Sequence, residues 1–222
     1  MGRTVVFDIN ETTLDLGPVR TVVDEIVGDE GGFTAWFQRL LLLSMTSTAT
    51  GSYHDFSTLA PAALAAVAGT GGRELPGDAW APVGAAMAAI DPYPDVVEGL
   101  TRLRSAGHGT AALTNSAPAA MNAQLGRTGL APLFDHILSV DAVRQFKPAA
   151  APYRHAAEVV GVAPSELWMV ACHDWDLAGA KAVGMSTAFV ARPRMSFASA
   201  LPPADLTVAD FVELAERLPT KR

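Results

Sequence analysis

The sequence predicts an α/β protein: a three-layer core around a parallel sheet, carrying an inserted all-helical module. Five short apolar runs, each too brief for a helix, recur along the chain and suit strands buried on both faces. Segments with helical spacing separate most of them, which implies right-handed crossovers between parallel strands. Residues 15–91 break this alternation with one helix after another.

Val5, Val6 and Phe7 form the first strand, which ends abruptly on Asp8 in TVVFDINETTLDL. That places an acid at the carboxyl edge of the sheet, where ligands of such sheets gather. VRTVVDEIVG, FTAWFQRLLLLSMT, STLAPAALAAVAGTGG and DAWAPVGAAMAAI then read as four helices, helped by abundant alanine. They end at DPYPD, residues 91–95, whose prolines stop helix and suit a hinge. The expected division is a core of residues 1–14 and 92–222 with a helical cap of 15–91, which begins directly behind Asp8 and can close over it. In DVVEGLTRLRSAGH, Val96, Val97, Leu100 and Leu103 mark the apolar stripe of a helix closed by Gly107. The remaining strands are TAALT (110–114), HILSV (136–140), LWMVA (167–171) and STAFVA (186–191), with the helix DLAGAKAVG between the last two.

A chain of 222 residues, half of them hydrophobic, can bury a core of this size. No run approaches the roughly 20 apolar residues of a membrane span, and no secretory signal opens the sequence. A soluble, cytoplasmic protein is expected, without membrane partners. The lone Cys172 allows no intrachain disulfide and fits a reducing compartment. A formal charge of -7 repels nucleic acid and leaves a small molecule as the expected partner. The run from Leu40 to Leu43 exceeds one helical face and suits either the core or a homodimer surface. His54, His108, His136 and His155 lack metal-ligand spacing.

Reactive side chains cluster at four strand ends: DINET, TNSAP, FKP and CHDWD. A carboxylate in a dry cleft can attack carbon or phosphorus if a cation keeps it ionised and donors orient it. Lys147 can supply the charge and Thr12 an oriented hydroxyl. Asn115 and the amides opening the SAPAAM helix can bind an anion. Asp176 can hold Lys147 or position a water, and also suits a helix cap. His173 reads equally as a buried structural histidine or a pocket base, and Trp175 as packing or a pocket wall.

Asp8 with Thr12 and Leu14, Thr114-Asn115, Lys147-Pro148, and Asp176 before a helix resemble the four motifs of the haloacid dehalogenase superfamily. VVFDINETTLDL, the helical insertion, FKPAAAPY and HDWDLAGAKAVG most resemble its L-2-haloacid dehalogenase branch. The resemblance implies a Rossmann-like core, a helical cap, and Asp8 as a nucleophile that displaces halide from a short 2-haloacid to form an ester, which water then cleaves. It implies that Lys147 and Asp176 assist hydrolysis and that Thr12 orients Asp8. Thr114 holds the substrate carboxylate, Asn115 faces the halide, and Tyr153 joins the same network.

Phosphatases of the superfamily carry an acid where this chain has Asn10, and an amide cannot protonate a leaving alcohol. They also bind Mg²⁺ partly through a position that is Cys172 here, a poor ligand for a hard cation, although Asp174 can substitute. The dehalogenase branch implies no cofactor. Mg²⁺ is expected only if the chain is a phosphatase, and a non-catalytic relative is a third reading. Departures from the branch are Phe37 where its halide-binding arginine stands, His173 for asparagine, Ala171 for serine, and Asn10 for an aromatic residue. Arg39 is the candidate replacement, although two residues turn a helix by about 200°.

Overall fold

The computed structural model describes residues 2–219. Its centre is β1 (Thr4–Phe7), whose Val5, Val6 and Phe7 have no exposed surface. Val5 and Phe7 enter one apolar cluster and Val6 another, as the alternation of a strand between two helical layers requires. The other strands are β2 (Gly109–Thr114), β3 (His136–Ser139), β4 (Leu167–Ala171), β5 (Ser186–Val190) and β6 (Leu206–Val208), and the sheet runs β3-β2-β1-β4-β5-β6. All neighbours pair in parallel. Phe7 lies level with Ala112 of β2 and Val170 of β4, so these three strands finish around one crevice, where the strand order switches direction.

On the Phe7 face lie α5 (Val96–Ser105), α6 (Pro118–Arg127) and α9 (Phe211–Arg217); on the Val6 face lie α7 (Ala150–Val160) and α8 (Asp174–Ala182). The stripe of α5 is Val96, Leu100 and Leu103, all buried, whereas Val97 is 48% exposed and belongs to the outer surface. Gly99 is required where α5 crosses α9, because a Cβ there would lie 2.4 Å from the Cβ of Phe211. The five expected strands form within one residue of their predicted ends. β6 and α9 were not anticipated, since three residues at a sheet edge, only Val208 buried, make no apolar run.

Four helices separate β1 from α5: α1 (Gly17–Val27), α2 (Gly32–Thr50), α3 (Phe56–Thr70) and α4 (Trp80–Ala89). The Asp55 side chain caps α3 by accepting from the Thr58 amide at 2.9 Å, and Trp36 of α2 donates its indole N–H to the Ala60 carbonyl at 2.9 Å. The leucine run of α2 points mostly inward, with only Leu42 strongly exposed at 53%. No helix among the described residues is long and apolar enough to cross a membrane.

The segments entering and leaving this helical block run side by side. Asp15 N donates to Asp91 O at 2.9 Å and Tyr93 N to Thr13 O at 3.1 Å, around an antiparallel bridge between Leu14 and Pro92. Buried Arg192 locks the junction: its Nε donates to Thr12 O at 2.9 Å, its Nη1 to Asp95 Oδ1 at 2.7 Å, and its guanidinium lies 4.1 Å over the Tyr93 ring. Burial acts to raise the Asp95 carboxyl, but Arg192 and the Phe211 amide hold it below its ordinary value.

Candidate active site

The abrupt change from apolar to polar residues at Asp8 has a structural cause. Asp8 N still donates to Val170 O, at 2.9 Å, so the strand's pairing delivers the side chain to the crevice. The chain then turns tightly, with the amides of Thr13 and Leu14 both donating to Ile9 O at 2.9 and 2.8 Å. This turn returns Thr12 beneath the carboxylate. Its hydroxyl donates to Asp8 Oδ2 at 2.8 Å and accepts from Cys172 N at 2.9 Å. Thr13 donates to the Asp8 carbonyl at 2.6 Å. Glu11 sits at the turn's apex with φ of 62°, a left-handed conformation that costs a residue with a Cβ about 1–2 kcal/mol.

Lys147 is fully buried, and its ammonium spends all three donors: Asp8 Oδ1 at 2.8 Å, Asp176 Oδ2 at 2.6 Å and Leu113 O at 3.1 Å. Tyr153 donates to the other oxygen, Asp176 Oδ1, at 2.6 Å. Gly179 allows this approach, because a Cβ there would lie 2.7 Å from the phenol oxygen. Burial acts to raise Asp8, but the Lys147 charge and the His173 hydrogen bond pull it well below the ordinary carboxylate range. Burial dominates at Asp176 and raises it, with Lys147 opposing. Lys147 itself is lowered by burial, yet the two carboxylates hold it above its ordinary value. The resting pattern is therefore an ionised Asp8 beside an ammonium.

His173 lies between two acids, with Nδ1 3.3 Å from Asp8 Oδ2 and Nε2 3.1 Å from Glu11 Oε2. Two carboxylate acceptors make both ring nitrogens donors, which is the imidazolium form. Burial disfavours that form, but the Cys172 sulfur and the bonds to Asp8 and Glu11 hold the pKa well above its ordinary value. Phe37 and Trp175 stack with the ring at centroid distances of 5.8 and 5.2 Å. Arg20 extends the series, 3.6 Å from Glu11 Oε1. Glu11 escaped the sequence reading because its role depends on the left-handed turn, which no glycine or asparagine announces.

A chamber of about 20 Å³ opens on Asp8, lined by Asn10, Phe37, Leu41, Phe56, Thr114, Asn115, His173 and Trp175. Asn115 Oδ1 accepts from Lys147 N at 3.0 Å, which leaves its NH₂ as the end able to meet an anion. Thr114 Oγ1 accepts from Ser116 N at 3.1 Å, leaving its proton to donate. Asn10 donates to Ser116 Oγ at 3.0 Å, while its own oxygen is buried without a hydrogen-bond partner among the described residues.

Tyr153 joins the network of Asp8 and Lys147 through Asp176; it is buried and does not line the chamber, so its part is to position that acid and not to bind substrate directly. Arg39 does not take the expected place. Arg39 is exposed on α2 and does not line the chamber, whereas Phe37 does; the rotation of the helix between them is the reason. Arg39→Ala is expected to leave the halide release that the sequence resemblance implies within about twofold of the parent rate, and a hundredfold loss would restore the arginine to the site.

The carboxylates that a Mg²⁺ ion would need are already engaged. Asp174 accepts from Trp175 N at 2.7 Å through Oδ1 and from Ala198 N at 3.0 Å through Oδ2, and Asp176 is held by Lys147 and Tyr153. No group of three His, Cys, Asp or Glu residues converges on a metal position among the described residues. The donor set does not fit this cation.

Comparison with known proteins agrees with this geometry. A model of the haloacid dehalogenase-like hydrolases matches residues 3–184. An (S)-2-haloacid dehalogenase of Xanthobacter autotrophicus is 36% identical over 194 residues, covering 86% of this chain and 76% of its own. The structure of L-2-haloacid dehalogenase from Xanthobacter autotrophicus superposes with a TM-score of 0.87 at 31% identity, covering 97% of this chain and 98% of that one. The same enzyme with chloropropionic acid covalently bound gives 0.85 at 31% identity, with the same coverage.

Proposed function

The chain belongs to the haloacid dehalogenase-like hydrolases, and from that premise we propose that it removes halide from a short 2-haloacid through a covalent ester on Asp8. The observation that carries this is the buried Asp8 carboxylate, held by Lys147 and Thr12 at the wall of a narrow chamber. Helices within residues 15–91 act as the cap, contributing Phe37, Leu41 and Phe56 to that wall.

Asp8 attacks the α-carbon opposite the carbon–halogen bond, so configuration inverts and the halide departs with the bonding electrons. A halide leaves as a stable anion, and no acid is needed where Asn10 stands. Asn115, expected at the halide, instead turns its NH₂ together with the Thr114 hydroxyl toward the substrate carboxylate, its Oδ1 being held by Lys147 N, while imidazolium His173 supplies the positive charge that Phe37 lacks. The reaction requires no metal or other cofactor.

Esterification removes the Asp8 charge that helps keep His173 protonated. The Nδ1 proton then leaves to solvent with the halide, and the neutral ring, its Nε2–H held by Glu11, becomes the base for ester hydrolysis. Water attacks the ester carbonyl; one of its protons restores the imidazolium, the other goes to the departing 2-hydroxy acid, and Asp8 is regenerated. Asp176 suits this task less well, because Lys147 and Tyr153 occupy both its oxygens.

Incubation with each enantiomer of 2-chloropropionate is expected to release chloride from one of them, at a rate unaffected by chelator. In Asp8→Asn, release should fall to background. Release by that variant, or none from either enantiomer with well-folded parent protein, overturns the reading.

A further inference from the structure

Beside the 20 Å³ chamber lies a second cavity of about 270 Å³, between α2, α3 and α4 on one side and α6 on the other. The two share Asn10, Phe37 and Phe56. The larger one approaches the size of pockets that hold small organic ligands, roughly 300 Å³ and above. Its walls include Trp36, Leu40, Trp80 and Met87, and among the described residues no charged one lines it. Its polar margin offers no complement to a second anion: Gln124 spends its NH₂ on Met87 O at 2.8 Å and leaves Oε1, like Asn10 Oδ1, a buried acceptor without a partner.

We propose that this cavity receives the side chain of the substrate, so that the preferred substrates are 2-haloacids bearing an unbranched alkyl chain of several carbons. The proposal rests on the reaction assigned above and specifies its substrate. The acid's charged end stays with Thr114 and Asn115, because the unpaired carbonyl oxygens of Asn10 and Gln124 repel a carboxylate. The reacting carbon sits at Asp8, and the chain passes Asn10 and Phe56 into the apolar space. Each methylene buried there removes apolar surface from water, which favours binding about fourfold per carbon.

The test compares chloride release from 2-chloropropanoate, 2-chlorobutanoate and 2-chlorohexanoate with the binding of butanoate, hexanoate and octanoate. Binding is read as a change in tryptophan fluorescence, since Trp36 and Trp80 border the cavity. The expected result is that kcat/KM and carboxylate affinity both rise about fourfold per methylene. Filling the space with Ala120→Phe on α6, or independently with Gly84→Leu, should lower the hexanoate-to-propanoate ratio of kcat/KM at least tenfold. A Cβ at position 84 lies 3.6 Å from Trp80 Nε1, an ordinary contact, so that substitution can be accommodated.

Chloride release that does not depend on chain length overturns the proposal while leaving the reaction intact. An equal loss on every substrate in both filled variants also overturns it, by marking the cavity as a passage. Absence of chloride from all three halides, combined with carboxylate binding that strengthens with length, defeats the reaction and keeps the cavity's assignment. Fluorescence indifferent to chain length in that case defeats both.

Discussion

Replacing Lys147 with methionine is expected to abolish halide release and to destabilise the fold by about 3–5 kcal/mol, the usual cost of removing one partner from a buried ionic cluster. Methionine keeps most of the side chain's length but leaves Asp8 and Asp176 facing each other without the ammonium that lies 2.8 and 2.6 Å from them. Two buried carboxylates without a cation between them cannot both stay ionised, and Asp176, already raised by burial, takes the proton first. Asp8 loses the charge that lowers its pKa most and the donor that fixes Oδ1, so the rate should drop by roughly a thousandfold or more. Urea denaturation and a chloride assay read the two effects separately. More than a tenth of parental activity in the variant contradicts the assignment of Lys147.

His173→Ala is expected to release at most one equivalent of chloride per enzyme, more slowly than the parent because the imidazolium charge beside Asp8 is lost, and then to stall because hydrolysis loses its base. Turnover after the burst should be about 10²–10⁴-fold slower, the range attributed to general-base catalysis. Intact mass should show the protein heavier by the substrate's 1-carboxyalkyl group, peptide mapping should place that ester on Asp8, and Glu11→Gln should show a milder form of the same stall. A uniformly slowed enzyme that accumulates no ester refutes the role. The pH dependence has a definite sign. The free protein holds the His173 pKa above its ordinary value, so its imidazolium adds stability that is fully present below about pH 6.5 and is lost as pH rises through the folded value. Alkaline loss of melting temperature should therefore shrink in His173→Ala.

The parts of this molecule that were legible in the sequence are those where one local pattern has one structural meaning. Strands buried on both faces write themselves as apolar runs, and Asp8, Thr12, Thr114, Asn115, Lys147 and Asp176 could be placed because each directly follows such a run or its adjoining loop. β6 gave no signal because an edge strand of three residues needs little burial. Arg39 misled because a helix presents a residue by its angle, which sequence proximity to Phe37 does not preserve. Glu11 and Arg192 depend on contacts across 162 and 180 positions of chain, and nothing in their neighbourhoods foretells either partner. His173 was open between scaffold and chemistry until both its ring nitrogens could be seen to meet carboxylates.

The antiparallel bridge at Leu14 and Pro92, with its bonds from Asp15 to Asp91 and from Tyr93 to Thr13, brings the helical block in and out of the molecule at a single point. To the strands below, those intervening helices are topologically one long loop. They form a cassette: a different block spliced at the same two positions would meet the same crevice and the same Asp8 while carrying its own complement of Phe37, Phe56 and Trp80. Selectivity can thus be exchanged as a unit, and the bond-breaking machinery need not be rebuilt each time.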